Sequence, residues 1–437
     1  MVRLSTLAPC LFAIVLLGMH LGMRVLFAKP RGARSRLRGL TIANNAPKPL
    51  ATTHAVSDEY VTLPQLQKQQ IDEPIINHEF ESPPPPPPAA SESAGACCHL
   101  QSPPPLNITL KKPVPMSRPI RVIFHTGNFD GPWPCDVPCE YSTGDHGGDA
   151  DVVIGEGGVP SISSTLKRIS PHILTGARSM ESAINYPTLK HLGEQVDCPM
   201  TTSLATSAVP VVYLTRSSIA KWGSAPVAWN ASALSERFGS GRLRPPAAVF
   251  VARNCHSKNG REDHIRGLDK VLRGGVDRPG LCLNSKKWPK CGSAKCGKHA
   301  VLRSYPFYLA FENSDEHDYV SEKVFHALEA GVLPIYNGAP NVDDFVPPHS
   351  VVDLKKFGGS LEKLAKHLHE LLDDPERYLE YFAWKQRPLP EAFQRKFGFV
   401  ATHAKCRLCR WAYAKKYNLP WSKERQRPMP TSGGVAL

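Results

Sequence analysis

Phe307-Tyr308-Leu309-Ala310-Phe311-Glu312-Asn313-Ser314, then Asp315 to Asp318, then Tyr319-Val320-Ser321-Glu322-Lys323, then residues 324–336 (VFHALEAGVLPIY) decide how this chain is read. The first five residues are apolar or aromatic, a strand signal, and they run into a polar loop. Val324, Phe325 and Leu328 recur at helical spacing, and Gly331 suits a helix C-terminus. A second apolar run, 332–336, closes the unit. Strand, loop, helix, strand is the unit from which parallel sheets are built, so the fold class is α/β.

In such a unit the loop and the first helical turn lie at the carboxyl edge of the sheet. Unpaired amides and the helix dipole attract phosphate there. Lys323 adds a positive charge. Glu322 beside it repels phosphate but accepts hydrogen bonds from hydroxyls, as a ribose would offer. The pair suits a sugar nucleotide, although a first-turn acid is also a common structural feature of helices.

The string FENS, three residues, DYVSEK and ALEAGVLPI resembles the donor-binding signature of the α1,3/4-fucosyltransferases. NGAPNVDDFVP, residues 337–347, continues the likeness in the form typical of plant and algal members. The resemblance spans roughly residues 121–413, closely in the second half and weakly in the first. It implies two facing Rossmann-like domains (GT-B) with the site in the cleft. It also implies inverting transfer of L-fucose from GDP-β-L-fucose to a sugar hydroxyl. No cofactor is required on this reading, and stimulation by a divalent cation stays open.

The same resemblance supplies roles. Met180-Glu181-Ser182, with Met200-Thr201-Thr202-Ser203-Leu204 after it, is similar to the acceptor-side region in which the Glu of an ES(P) motif is the base. Glu181 is therefore the candidate catalytic residue, although Ala183 stands where the motif has proline. Asn254 follows the strand signal 247–251, and Arg261 is the counterpart of the arginine that binds the diphosphate, with Arg266 its rival. Arg253 replaces a usual serine. Asn313, Tyr319 and Ser321 would shape the fucose and phosphate pocket, Glu322 would bind ribose, and Lys323 the diphosphate. Glu181 or Glu312 would favour a positively charged sugar ring.

At 437 residues the chain exceeds one domain. Residues 1–30 read as a cytosolic tail and signal-anchor helix, residues 4–28 being the membrane partner. A cleaved signal peptide is the competing reading. Residues 31–118 are a disordered Pro-rich stem. Residues 119–244 form the acceptor-side domain, 245–385 the donor domain, with Pro245-Pro246 at the boundary, and 386–437 a C-terminal extension with CxxC. The basic residues after the apolar run oppose luminal placement by the positive-inside rule. The sequons at Asn107 and Asn230 and the cysteines favour it. The chain is accordingly read as a single-pass type II protein of the Golgi membrane, acting on N-glycan or glycoprotein acceptors.

The net charge of +14 admits anionic partners, but the basic residues are dispersed and match no nucleic-acid motif. P-loop, GxSxG and HExxH strings are absent. Asp149-Ala150-Asp151 has the form of a metal-binding DxD, but it runs into a strand signal and reads as a strand-edge pair. No metal ligand set is assigned. Of 12 cysteines, Cys135, Cys139, Cys406 and Cys409 could hold zinc, whereas an oxidising lumen favours disulfides. Residues 269–298 read as a variable loop, and residues 361–382 as two amphipathic helices carrying solvated His367 and His369. Two alternatives from other classes remain: a membrane-tethered glycan- or nucleotide-binding protein with a degenerate site, and a luminal Cys-based redox or zinc protein.

Overall fold

The computed structural model describes residues 118–125, 134–144, 149–156, 170–239 and 245–429, all within the compact unit Leu66–Leu437. The anchor at 4–28, nearly all of the stem and the Asn107 sequon lie outside the described residues. Among the described residues no helix is long and apolar enough to cross a membrane.

Two parallel sheets organise the structure. The first comprises β1 (Ile120–Phe124), β2 (Cys139–Thr143), β3 (Val152–Glu156), β4 (Leu174–Arg178) and β5 (Cys198–Met200), in the order β2-β1-β3-β4-β5. Two helices then follow, α1 (Arg216–Ser224) and α2 (Ala231–Phe238). The second sheet begins with β6 (Ala248–Val249), and α3 (Arg261–Val271) leads to β7 (Val276–Asp277). A hairpin of β8 (Lys290–Cys291) and β9 (Ala294–Lys295) precedes α4 (Lys298–Arg303). Then come β10 (Phe307–Phe311), α5 (Glu322–Ala330), β11 (Leu333–Asn337) and β12 (Val352–Asp353). The second sheet runs β12-β11-β10-β6-β7. Counted within each lobe, both sheets have the order 2-1-3-4-5, whose switch point lies between the first and third strands. In the second lobe those strands are β6 and β10, so the loops after Val249 and Phe311 open where an open α/β sheet binds ligand.

The unit read from sequence folds as expected. All five residues of β10 are buried, with Phe307, Leu309 and Phe311 on one face and Tyr308 and Ala310 on the other. Both faces are covered, which explains an apolar run without alternation. Gly331 caps α5 at φ +69°, and a Cβ there would lie 1.9 Å from the Pro226 carbonyl oxygen. Only glycine meets both conditions.

The domain limits are corrected. Although α1 and α2 precede Pro245-Pro246, they pack on the second sheet: Ile219 and Trp222 join Val324, Phe325 and Leu328, while Leu234 and Phe238 join Phe307 and Ile265. Trp222 stacks on Phe325 at 5.8 Å. Conversely, the C-terminal segment is no separate extension. Beyond α6 (Leu361–Asp373) and α7 (Pro375–Glu380) the chain returns to the first lobe as α8 (Ala404–Lys416). There Leu408, Trp411 and Tyr413 pack with Ile120, Val122 and Val152. Disulfides Cys135–Cys406 and Cys139–Cys409 fasten it. Cys406 and Cys409, one helical turn apart, thus face two cysteines at the entry to β2 rather than each other, so these four form neither a zinc site nor a CxxC redox pair.

Residues 269–298 are more ordered than a variable loop: they finish α3, supply edge strand β7 and form the β8–β9 hairpin. Cys255–Cys282 and Cys291–Cys296 staple this region. Cys198, buried in the first core, stays a thiol. His367 and His369 are half-buried and partnered rather than simply solvated. The His367 ring nitrogen meets the Tyr381 hydroxyl at 2.9 Å, and His369 accepts from the Arg273 amide at 3.0 Å. Asp151 is the strand-edge residue expected, held by Arg118 at 2.6 Å and Lys416 at 2.9 Å. Asn230 is the exposed N-cap of α2, its side chain accepting from the Ala233 amide.

Candidate active site

The loop after β10 and the first turn of α5 form the floor of the site. Glu312, fully buried, accepts from the Ser321 amide and hydroxyl, both at 2.8 Å, and from Lys323 Nζ at 3.0 Å. Lys323 Nζ also lies 2.7 Å from Ser321 Oγ and 3.7 Å from Glu322 Oε1. Burial alone would lower the Lys323 ammonium, but Glu312 and Glu322 outweigh it and hold the pKa above the ordinary lysine value. Burial likewise pushes Glu322 up, and Lys323, Lys298 and His326 pull it down to about 2. Both groups are therefore charged at neutral pH. The Glu322 side chain keeps 39% of its surface exposed, which leaves the carboxylate open to a hydroxyl ligand.

The loop between them is bent by Asp318, a non-glycine residue at φ 67°. Its buried carboxylate accepts from Asn341 Nδ2 at 3.0 Å and from the Leu204 amide of the first lobe at 2.9 Å. Glu316 meets the Ile184 amide, also of the first lobe, at 3.3 Å. These contacts bring the loops after β4 and β5 against the donor-side loop.

Glu181 arrives by that route. It lies just beyond the carboxyl end of β4. Desolvation raises its pKa above the usual glutamate value, against the pull of Lys323 and the Tyr319 hydroxyl, while Glu322 and Glu312 add to the rise. Tyr319 is buried and its phenol is pushed far up, so the hydroxyl remains a donor. Tyr213 donates to the Met180 carbonyl at 3.1 Å, next to Glu181.

Arg261 opens α3 at the end of the β6 loop. It is 2% exposed, its guanidinium 5.6 Å from the Phe250 ring centroid and 3.0 Å from Glu262. It also donates to the Asn254 carbonyl. Arg261 raises the cost of a charged Lys323 by direct repulsion, which places the two cations within electrostatic reach. Arg266, the rival, pairs instead with Asp263 on the exposed face of α3. Asn254 and Arg253 are exposed, and the Asn254 amide oxygen accepts from the His256 amide. Asn254 thus supports Arg261 through its backbone. Asn313 Oδ1 and Ser314 Oγ, in the loop after β10, are buried polar atoms without a protein partner. Such atoms are costly unless another molecule satisfies them.

Structure thus gathers Glu181, Glu312, Tyr319, Ser321, Glu322 and Lys323 into one network, sets Arg261 beside it and leaves the Asn254 side chain outside. Glu312 is corrected in role: three donors saturate it, so it anchors Lys323 and is not open to a sugar ring. Sequence reading missed Tyr213, Lys298 and His326. His326 stands four residues after Glu322 on α5 and was findable by helical spacing. Tyr213 carries no local signal, because its partners come from distant segments.

Two lobes with parallel sheets, a basic switch point and a facing carboxylate define a two-lobed α/β protein with an ionic site between its loops. Residues 243–423 match the model of glycosyltransferase family 10 (fucosyltransferase), C-terminal, so this stretch of the chain is similar to that family. A fucosyltransferase-like protein of Arabidopsis thaliana is 30% identical over 294 residues, 66% of this chain and 50% of the relative. An α-(1,4)-fucosyltransferase of the same plant is 46% identical over 111 residues, 25% of this chain and 27% of the relative. An α-(1,3)-fucosyltransferase C of Drosophila melanogaster is 37% identical over 166 residues, 38% and 36% respectively. The chain therefore spans half or less of the length of these relatives.

Proposed function

We propose that this protein transfers L-fucose from GDP-β-L-fucose, with inversion, to a hydroxyl of GlcNAc on N-glycans, forming an α1,3 linkage. The observation that carries the proposal is the contact of the Glu181 lobe with the donor-side loop, Ile184 N–H to Glu316 at 3.3 Å and Leu204 N–H to Asp318 at 2.9 Å, which sets a carboxylate of one lobe against the cation-bearing helix start of the other. Glu181 accepts the proton of the attacking hydroxyl as it closes on C1 of fucose. Lys323, Arg261 and the first amides of α5 hold the negative charge that builds on departing GDP. Glu322 takes the ribose hydroxyls. Asn313 and Ser314 offer buried polar atoms to the donor. On this reading the two lobes form a GT-B enzyme, and the anchor and stem hold it in the Golgi lumen.

Labelled GDP-fucose offered to the full chain with a core GlcNAc glycan, an N-acetyllactosamine glycan and a peptide hydroxyl tests the reading. Product on core GlcNAc supports it, with linkage read by mass spectrometry. The relatives include both α-(1,3) and α-(1,4) enzymes, and a canine relative is a GDP-fucose protein O-fucosyltransferase, so each arm discriminates. Binding of GDP-fucose without transfer to any acceptor would leave only the tethered-binder alternative.

Two further results are expected. Lys323→Ala should weaken GDP-fucose binding about 10- to 100-fold by calorimetry, the range for losing a hydrogen bond to a charged group. Unchanged affinity would remove Lys323 from the diphosphate. The base must be ionised to act, and desolvation raises its pKa. kcat/KM should therefore fall as pH drops through a value above the ordinary glutamate pKa of about 4.3. An acid limb at or below that value would exclude Glu181 as its source.

A further inference from the structure

Along α5 from Glu322, on the same helical face, His299 of α4 meets His326 and Glu329 of α5. One ligand atom from each lies within 4.8 Å of the other two. His299 Nε2 is 3.0 Å from Glu329 Oε2, and the two imidazoles stand edge to face, 78° apart with centroids at 5.2 Å. His326 and Glu329 are one helical turn apart and share a face. The Glu329 side chain is only 7% exposed, a carboxylate that needs a cation. Around an ion with bonds of about 2.0–2.1 Å, tetrahedral ligands sit about 3.3 Å apart, so small side-chain rotations close this set.

We propose that His299, His326 and Glu329 form a site for a borderline transition-metal dication of the zinc type. Two imidazoles and one carboxylate, with a fourth position left to water, are the donor set such ions favour. Two ammonium groups oppose it. Lys298 Nζ is 2.8 Å from His326 Nδ1, and Lys221 Nζ is 3.8 Å from Glu329 Oε2. Lys298 is the direct competitor, since it holds a ring nitrogen of one ligand. Metal entry must displace it, and the ion would then clamp α4 to α5 one turn behind Glu322. The site borders Glu322, whose charge Lys298 and His326 favour, but its three ligands have no role in the transfer step, and it stands whether or not the fucosyl-transfer reading does.

The test is Zn2+ uptake by the chelator-stripped full chain, measured by equilibrium dialysis, with Co2+ absorption reporting tetrahedral coordination. His299→Ala and Glu329→Gln should each weaken uptake of one ion at least about tenfold, since even outer partners of such sites are worth 10–100-fold. Lys298→Met, which removes the competing ammonium and keeps the aliphatic stem, should tighten it by about as much. Retained GDP binding identifies folded variants. Wild-type uptake equal to that of a folded His299→Ala or Glu329→Gln chain overturns the proposal. Should neither variant fold, Lys298→Met decides: tighter uptake supports the site, and unchanged uptake counts against it.

Discussion

Glu181→Gln is expected to lower kcat by at least about a hundredfold, with GDP affinity nearly unchanged. The amide is close in size to the carboxylate, and the inter-lobe bonds of Ile184 to Glu316 and Leu204 to Asp318 do not involve it, so the contact between lobes survives. What disappears is the capacity to accept a proton, and general-base loss costs roughly 10²–10⁴ in rate. The split between rate and affinity matters as much as the size. A purely structural role for Glu181 would disturb the loop carrying Tyr319, Ser321 and Lys323 and weaken GDP binding along with turnover. Steady-state kinetics and calorimetry on one preparation separate the two outcomes. Near-normal kcat would take the base role from Glu181.

Cys135→Ser combined with Cys139→Ser should be the most damaging change for stability. The two disulfides close loops of 271 and 270 residues. In the chain-entropy model a loop of that length stabilises by about 5 kcal/mol, and because both bonds close nearly the same loop the pair is worth little more than one. The expected signs are a large loss in denaturant midpoint and early proteolysis at the segment leading into α8. Lobe two should keep its fold, since its own bridges, Cys255–Cys282 and Cys291–Cys296, are untouched. A double variant with an unchanged midpoint would mean that α8 docks by apolar packing alone.

The donor segment was legible because its signals are local. An apolar strand, a polar loop, helical spacing, Gly331 and a neighbouring strand all lie within residues 307–336, and the structure realises each where the sequence put it. The base was legible only through a motif likeness, because nothing near Glu181 reveals that Tyr319 will meet it. Lobe membership was not legible. An amphipathic helix states that it has an apolar face and not which sheet receives it, so α1 and α2 looked like parts of the first lobe. Helix α8 hid more thoroughly. Its sequence is rich in Lys and Arg, yet Lys405 and Arg407 are buried: Arg407 donates to the Pro210 carbonyl at 2.8 Å, and the Lys405 ammonium lies 5.7 Å from the Phe124 ring centroid. Cations satisfied by distant carbonyls and rings read as solvated in a sequence. Glu312 misled for a related reason. A carboxylate next to a sugar-nucleotide motif invites a catalytic role, whereas its three donors come from Ser321 and Lys323 and make it the anchor of the cation.

The account depends on the start of α5 being a donor cradle that faces a base across the cleft. A crystal structure of the chain with GDP-fucose bound measures this most directly. The diphosphate should lie within hydrogen-bond reach of Lys323, the ribose should meet Glu322, and C1 of fucose should face the Glu181 carboxylate. A donor bound away from Lys323, or with its fucose turned from Glu181, would contradict it.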